Sequence, residues 1–88
     1  MASGVIKNNT WTYLGTKTDT SELSLPSSFS NILVRTKDGD GYYFSTYITR
    51  DQLLTTDHPY YLSSKGAFRI SSTMIKKVIG DEIRVYYN

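Results

Sequence analysis

The sequence predicts a small all-β protein, an antiparallel β-sandwich or compact barrel of about seven short strands. Segments in which polar and apolar residues alternate recur along the chain, and turns rich in glycine, aspartate and serine separate them. Tyrosine and threonine are abundant and alanine is scarce, a composition that favours pleated strands over helices.

The chain has 88 residues, which predicts one domain over residues 1–88, with residues 1–8 as a loose arm or a short first strand. It has no cysteine, so neither a disulfide nor a thiol nucleophile is expected. The net charge of +2 is small and scattered, which argues against nucleic-acid binding. No apolar run reaches the roughly 20 residues that span a bilayer, and no signal peptide is recognised.

The first third of the chain predicts two strands and a buried connection. Trp11 and Tyr13 share one face of the first strand, and we expect Trp11 to anchor the core, with a ligand platform as the alternative. Residues 22–25 alternate, and Pro26 ends this strand because proline cannot donate to a ladder. We expect Phe29 to lie beneath the sheet.

The clearest part of the centre is a hairpin. Residues 31–37 and 42–49 alternate, and the turn between them is Asp38-Gly39-Asp40-Gly41. The alternation directs one set of side chains inward, namely Ile32, Val34, Phe44 and Ile48. Tyr43 and Tyr47 then face outward or lie at a contact.

The segment after this hairpin has no clean period. Residues 50–54 fit one helical turn, residues 57–60 predict a turn, and residues 60–62 re-enter the sheet. A further turn is expected at residues 63–66, before a strand at residues 67–71.

The end of the chain predicts a second hairpin. Residues 74–79 and 82–87 are joined by Gly80-Asp81, which suits a tight two-residue turn because glycine supplies positive φ. The resulting register sets Lys77 opposite Arg84, a mildly repulsive pair. A helix in place of the first of these strands is the alternative.

No catalytic or metal-binding constellation accompanies these elements. Asp38-Gly39-Asp40 resembles the start of a calcium loop, but Thr49 stands where the closing glutamate would be, and a hairpin turn explains the same residues. His58 is the sole histidine, too few ligands for zinc, and no serine lies in a nucleophile elbow. We therefore expect no enzymatic activity, no metal and no cofactor.

Paired tyrosines are the remaining signal. In Tyr42-Tyr43, Tyr60-Tyr61 and Tyr86-Tyr87, one side chain of each pair points into the fold and the other out. An outward tyrosine offers a flat apolar face with a polar tip, which suits a protein or sugar partner, although ordinary sheet surface is the alternative. Together with the polar turns, this pattern gives the candidate binding residues Tyr43, Tyr47, Asp57, His58, Tyr60 and Tyr61.

Short motifs follow one another in a recognisable order: Trp11 with Leu14-Gly15, Leu25-Pro26 with Phe29, Ile32-Leu33-Val34, Ile48 with Arg50-Asp51 and Leu53, and Val85-Tyr86-Tyr87. In this order the chain, over residues 11–88, resembles a small β-rich domain of structural proteins from phages and prophages of Firmicutes, at or near tail-fibre or baseplate termini. The resemblance implies a virion component, a receptor-facing tip, without catalysis. The chain departs from the pattern at residues 46–49, where the family usually reads Phe-His-Ile-Pro and the proline protects an edge.

We therefore expect a non-enzymatic module of a phage virion, produced in the host cytoplasm, that contributes to host-surface attachment or to assembly. Expected partners are other virion proteins and a host cell-surface glycan or protein, with no nucleic acid and no membrane insertion. A homo-oligomer would relieve the small core, and a trimer is suggested only by the usual symmetry of phage fibres. The alternatives are a carbohydrate-binding module of a bacterial surface protein and a capsid-decoration or structural adaptor domain.

Overall fold

The computed structural model describes residues 10–88, and this part of the chain is all-β, as predicted. The predicted arm at residues 1–8 lies outside the described residues. A turn of 3-10 helix, Arg50–Gln52, occupies part of the segment where one helical turn was expected. The described strands are β1 (Thr12–Lys17), β2 (Glu22–Ser24), β3 (Asn31–Lys37), β4 (Tyr43–Thr49), β5 (His58–Ser63), β6 (Gly66–Ile70), β7 (Met74–Ile79) and β8 (Glu82–Tyr87).

The strands form two four-stranded sheets rather than one continuous barrel. In the first sheet the order is β1-β8-β3-β4, and in the second it is β2-β7-β6-β5. Neighbouring strands are antiparallel throughout both sheets. The chain passes from the first sheet to the second after β1 and again after β4, and it returns after β2 and after β7. Buried side chains of both sheets belong to one core cluster.

Alternation along the strands builds that core, because every second side chain of a strand points to the same face. The predicted inward residues Ile32, Val34 and Ile48 are buried, whereas Phe44 is half-buried. Tyr60 stacks on the buried Phe68 with ring centroids 5.1 Å apart, which closes the core beneath the edge of the second sheet. The core cluster comprises Leu25, Phe29, Ile32, Val34, Ile48, Phe68, Ile70, Ile75, Ile83 and Val85.

Polar side chains also lie in the interior, and Thr36 is the most deeply buried of those described. Thr36 is fully buried in β3, and its hydroxyl has no hydrogen-bond partner among residues 10–88. A buried hydroxyl without a partner loses its hydration and gains nothing in return. The replacement of Thr36 by valine keeps the branched shape and removes the polar atom.

We expect Thr36→Val to raise the free energy of unfolding by about 1 kcal/mol, measured by urea denaturation. The matched control is Thr12→Val, at an exposed position of β1, which should change the stability by less than about 0.5 kcal/mol. A loss of stability in Thr36→Val would mean that the hydroxyl is hydrogen-bonded in solution.

The first predicted hairpin is confirmed, and the second is wrong. β3 pairs with β4 from Asn31 with Thr49 to Lys37 with Tyr43. The bounds predicted for β7 and β8 are correct, and the alternative helix is absent from this segment, but the two strands belong to different sheets. Gly80, with φ of 123°, turns the chain from one sheet to the other.

Two further expectations differ from the structure. Trp11 is half-buried and packs against the exposed Tyr47, with ring centroids 6.1 Å apart, so it does not anchor the core. The turn predicted at residues 57–60 is already strand from His58 onward, because Pro59 favours extended backbone before it and tolerates a sheet edge. The turn at Ser64 and Lys65 and the buried Phe29 agree with expectation.

Candidate binding surface

The outer face of the first sheet carries a row of large side chains that crosses all four strands. Tyr13 of β1 pairs with Tyr86 of β8, which pairs with Leu33 of β3, which pairs with Tyr47 of β4. Directly paired residues of antiparallel strands project from the same face. We call Tyr13, Tyr86, Leu33 and Tyr47 the aromatic row.

A β-bulge in β1 places Tyr13 in this row. The register of β1 against β8 shifts between Tyr13 and Gly15, so Leu14 is the extra residue. Leu14 packs against the core. A bulge reverses which face the following residues occupy, and Tyr13 and Thr16 therefore both lie on the outer face.

Both ends of the aromatic row are exposed, whereas Tyr86 and Leu33 between them are half-buried. Tyr13 is 56% exposed and Tyr47 is 59% exposed. The rings of Tyr13 and Tyr86 are tilted, with centroids 5.6 Å apart, and Trp11 extends the row by its contact with Tyr47. Tyr13 also shares a short hydroxyl-hydroxyl hydrogen bond with Thr16. These contacts hold the rings in place, so the surface is largely pre-formed.

The adjacent row on the same face is basic. Arg35 of β3 lies directly opposite Arg84 of β8. The Nε of Arg84 donates to a carboxylate oxygen of Glu82 at 2.7 Å, and this bond raises the pKa of Arg84 above its ordinary value. In the row beyond, Lys37 pairs with Glu82 on one side and with Tyr43 on the other.

Tyr43 lies between the cations of β3. The guanidinium of Arg35 is 4.8 Å from the centroid of the Tyr43 ring, and the Nζ of Lys37 is 5.8 Å from it, both within cation–π range. Together with Glu82 and Arg84, Arg35 and Tyr43 line a depression of about 210 Å³. We call these four residues the arginine depression.

The predicted binding residues are not brought together into one site. Tyr43 and Tyr47 lie on the outer face of the first sheet, whereas Asp57, His58, Tyr60 and Tyr61 lie at or in β5, an edge strand of the second sheet.

Within the group at β5, the side chains have mainly structural contacts. Asp57 accepts hydrogen bonds and a salt bridge from Arg69 at 3.1 Å, and the hydrogen bond from Arg69 holds the pKa of Asp57 below its ordinary value. His58 packs edge-on against Tyr60, which itself stacks on the core. Tyr61, 71% exposed, presents its ring to solvent.

Sequence reasoning did not include Tyr13, Tyr86, Arg35 or Arg84 among the candidate residues. The pairing of β1 with β8 and of β8 with β3 brings them together, and the predicted hairpin of β7 with β8 concealed that arrangement. Alternation in β8 is the sequence pattern that could have indicated Arg84 and Tyr86. These two residues lie, with Glu82, on the face opposite to the buried side chains of the strand.

Comparison with protein-family models, with curated proteins and with solved structures finds no match to this chain. The resemblance to phage tail domains therefore stays a prediction. Among residues 10–88, no helix is long and apolar enough to cross a membrane. Within the same residues, no three histidine, cysteine or acidic side chains come together in a group suited to a metal ion.

Proposed function

We propose that this chain is a non-enzymatic binding module of a phage virion, which attaches to the host cell surface through the outer face of its first sheet. The observation that carries the proposal is the aromatic row, which places three tyrosine rings and Leu33 side by side across four paired strands, with Tyr13 and Tyr47 exposed. The resemblance to domains of phage tail proteins favours a virion as its place and a cell surface as its target.

The chemistry of the row supports surface recognition. A tyrosine ring buries a large apolar area and keeps a hydroxyl for hydrogen bonding, which suits the apolar face and hydroxyl edge of a sugar. It loses little side-chain entropy on binding because it has only two rotatable torsions. The side chains of the aromatic row also belong to strands rather than loops. A rigid support lowers the entropy lost when a binding site becomes ordered.

The proposal predicts that removal of two rings from the row abolishes most of the attachment. We expect the double variant Tyr47→Ser/Tyr86→Ser to bind purified cell walls from a panel of Firmicutes at least about tenfold more weakly than the unaltered protein, because central aromatic residues dominate binding energy. Co-sedimentation with the walls measures the affinity, and circular dichroism checks that both proteins are folded.

Tyr61→Ser is the control, since Tyr61 is also an exposed tyrosine but lies in the second sheet. It should bind the walls as the unaltered protein does. Loss of binding in Tyr61→Ser with retention in the double variant would move the contact surface to the second sheet. An unaltered protein that binds no wall in the panel would contradict attachment.

A further inference from the structure

We propose that the outer face of the first sheet recognises a sugar that carries an anionic group, with the anion held between Arg35 and Arg84 and the sugar ring on the aromatic row. This inference rests on the proposed function and gives it a ligand class. It draws on charge and geometry that the aromatic row alone does not supply.

An excess of positive charge lies beside the aromatic row. Arg35 and Arg84 are directly opposite one another on β3 and β8, and like charges in that position destabilise a sheet. Within residues 10–88, the Glu82 carboxylate forms its ion pair with Arg84 alone, and none of the ion pairs includes Arg35. Lys37 adds a further cation in the next row. An anion between the two guanidinium groups would relieve this repulsion.

The guanidinium groups of Arg35 and Arg84 already have contacts that orient them. Arg84 is oriented by its 2.7 Å bond to Glu82, and Arg35 lies over the ring of Tyr43. Arginine presents a rigid fork of donors that matches the oxygens of a carboxylate or a phosphate. Since these contacts already restrict the two forks, less side-chain entropy is lost when an anion arrives.

The spacing and volume of this surface match the size of a sugar with one charged substituent. Residues two apart on a strand are separated by about 6.6–6.8 Å, so Arg35 and Arg84 lie about one sugar unit from the aromatic row. The arginine depression, at about 210 Å³, is smaller than the roughly 300–1,000 Å³ of pockets that enclose whole drug-sized ligands. It therefore suits one charged substituent, while the attached ring lies outside it on the tyrosines.

A single strand of nucleic acid also combines rings and phosphates, but this surface fits it less well. Such proteins track a repeated backbone charge along a continuous basic groove. Here the basic row spans only two neighbouring strands, and the carboxylate of Glu82 lies within the same depression. One anionic group beside a sugar ring matches this pattern better than a series of phosphates.

The test is an NMR titration of the full chain with glucose 6-phosphate, glucuronate, glucose and inorganic phosphate. The two charged sugars should bind at least about tenfold more tightly than glucose and should shift the Nε–H signals of Arg35 and Arg84; their relative affinities distinguish phosphate from carboxylate. Arg35→Gln should lower both affinities to that of glucose. Lys76→Gln, which removes a cation from the second sheet, should leave them unchanged.

The other outcomes overturn the inference in distinguishable ways. If glucose binds as tightly as the charged sugars, the anion site is wrong while the aromatic surface stands. If inorganic phosphate alone binds as tightly as glucose 6-phosphate, the sugar ring makes no contribution. Tighter binding of an oligothymidylate than of either charged sugar would favour a nucleic acid. Equal loss in Lys76→Gln would show non-specific charge attraction.

Discussion

Replacement of Gly80 by alanine is expected to lower the free energy of unfolding by about 3 kcal/mol. Gly80 has φ of 123°, a backbone conformation that residues with a Cβ rarely adopt. A Cβ built at this position would lie 3.0 Å from the carbonyl oxygen of Lys37. That oxygen already accepts a hydrogen bond from the backbone N–H of Asp81 at 2.9 Å, so the added methyl group would strain the point where the chain changes sheets.

Gly41→Ala separates the two parts of this cost. Gly41 also has positive φ, 88°, but a Cβ there would meet no atom of residues 10–88 within 4 Å. We expect it to lose only about 1 kcal/mol, from backbone strain alone. Urea denaturation of both variants measures the difference, and equal losses would show that Gly80 is not closely packed against Lys37.

The second large effect is expected at Asp38, which ties the turns of the two sheets together. One carboxylate oxygen accepts from the backbone N–H groups of Asp40 and Tyr42, each at 2.9 Å, and the other accepts from the hydroxyl of Ser63 at 3.0 Å. Asp38→Ala leaves these donors without their acceptor in a buried position. We expect the melting temperature to fall by roughly 10 °C at neutral pH.

The pH dependence of this effect follows from the pKa of Asp38. Burial by itself raises the pKa, but the hydrogen bonds from Tyr42, Ser63 and Asp40 outweigh it, so the pKa lies below its ordinary value of 3.8. The charged carboxylate therefore stabilises the fold above pH 3.8, and this contribution is lost as the pH falls below that value.

The gap in melting temperature between the unaltered protein and Asp38→Ala should accordingly shrink between about pH 6 and pH 2.5. Asp40→Ala is the matched control. Asp40 lies in the same turn, but its ion pair with Lys65 is exposed on both sides, so its loss should have little effect at any pH. A gap that does not change with pH would show that the charge of Asp38 makes no contribution.

The first hairpin could be predicted because two signals agree there. Both strands alternate, and the turn contains Asp38, whose side chain hydrogen-bonds to backbone N–H groups of the same turn. The second could not, because a Gly-Asp pair fits a hairpin turn and a corner between sheets equally well. Burial of the β7 side chains is what distinguishes the corner from a hairpin turn. Ile75 and Lys77 are buried, with the Nζ of Lys77 donating to the carbonyl of Gly80 at 2.7 Å. A lysine satisfied in this way leaves no apolar signal in the sequence.

The candidate surface, too, could be predicted only in part from local sequence patterns. Outward Tyr43 and Tyr47 follow from alternation within one hairpin and are exposed as predicted. The neighbours that make them a surface come from β1 and β8, which are more than 60 residues apart along the chain but paired in the first sheet. Local patterns carry no information on that pairing, so Arg84 and Tyr86 could be assigned to a face but not to a site.

Transferred cross-saturation NMR from purified Firmicutes cell walls to the amide protons of the chain identifies the contacting residues most directly. Signal loss concentrated at Tyr13, Leu33, Tyr47 and Tyr86, across four strands of one sheet, is the expected result. Signal loss confined to β5, around His58 and Tyr61, would show that the protein meets its partner with the opposite sheet.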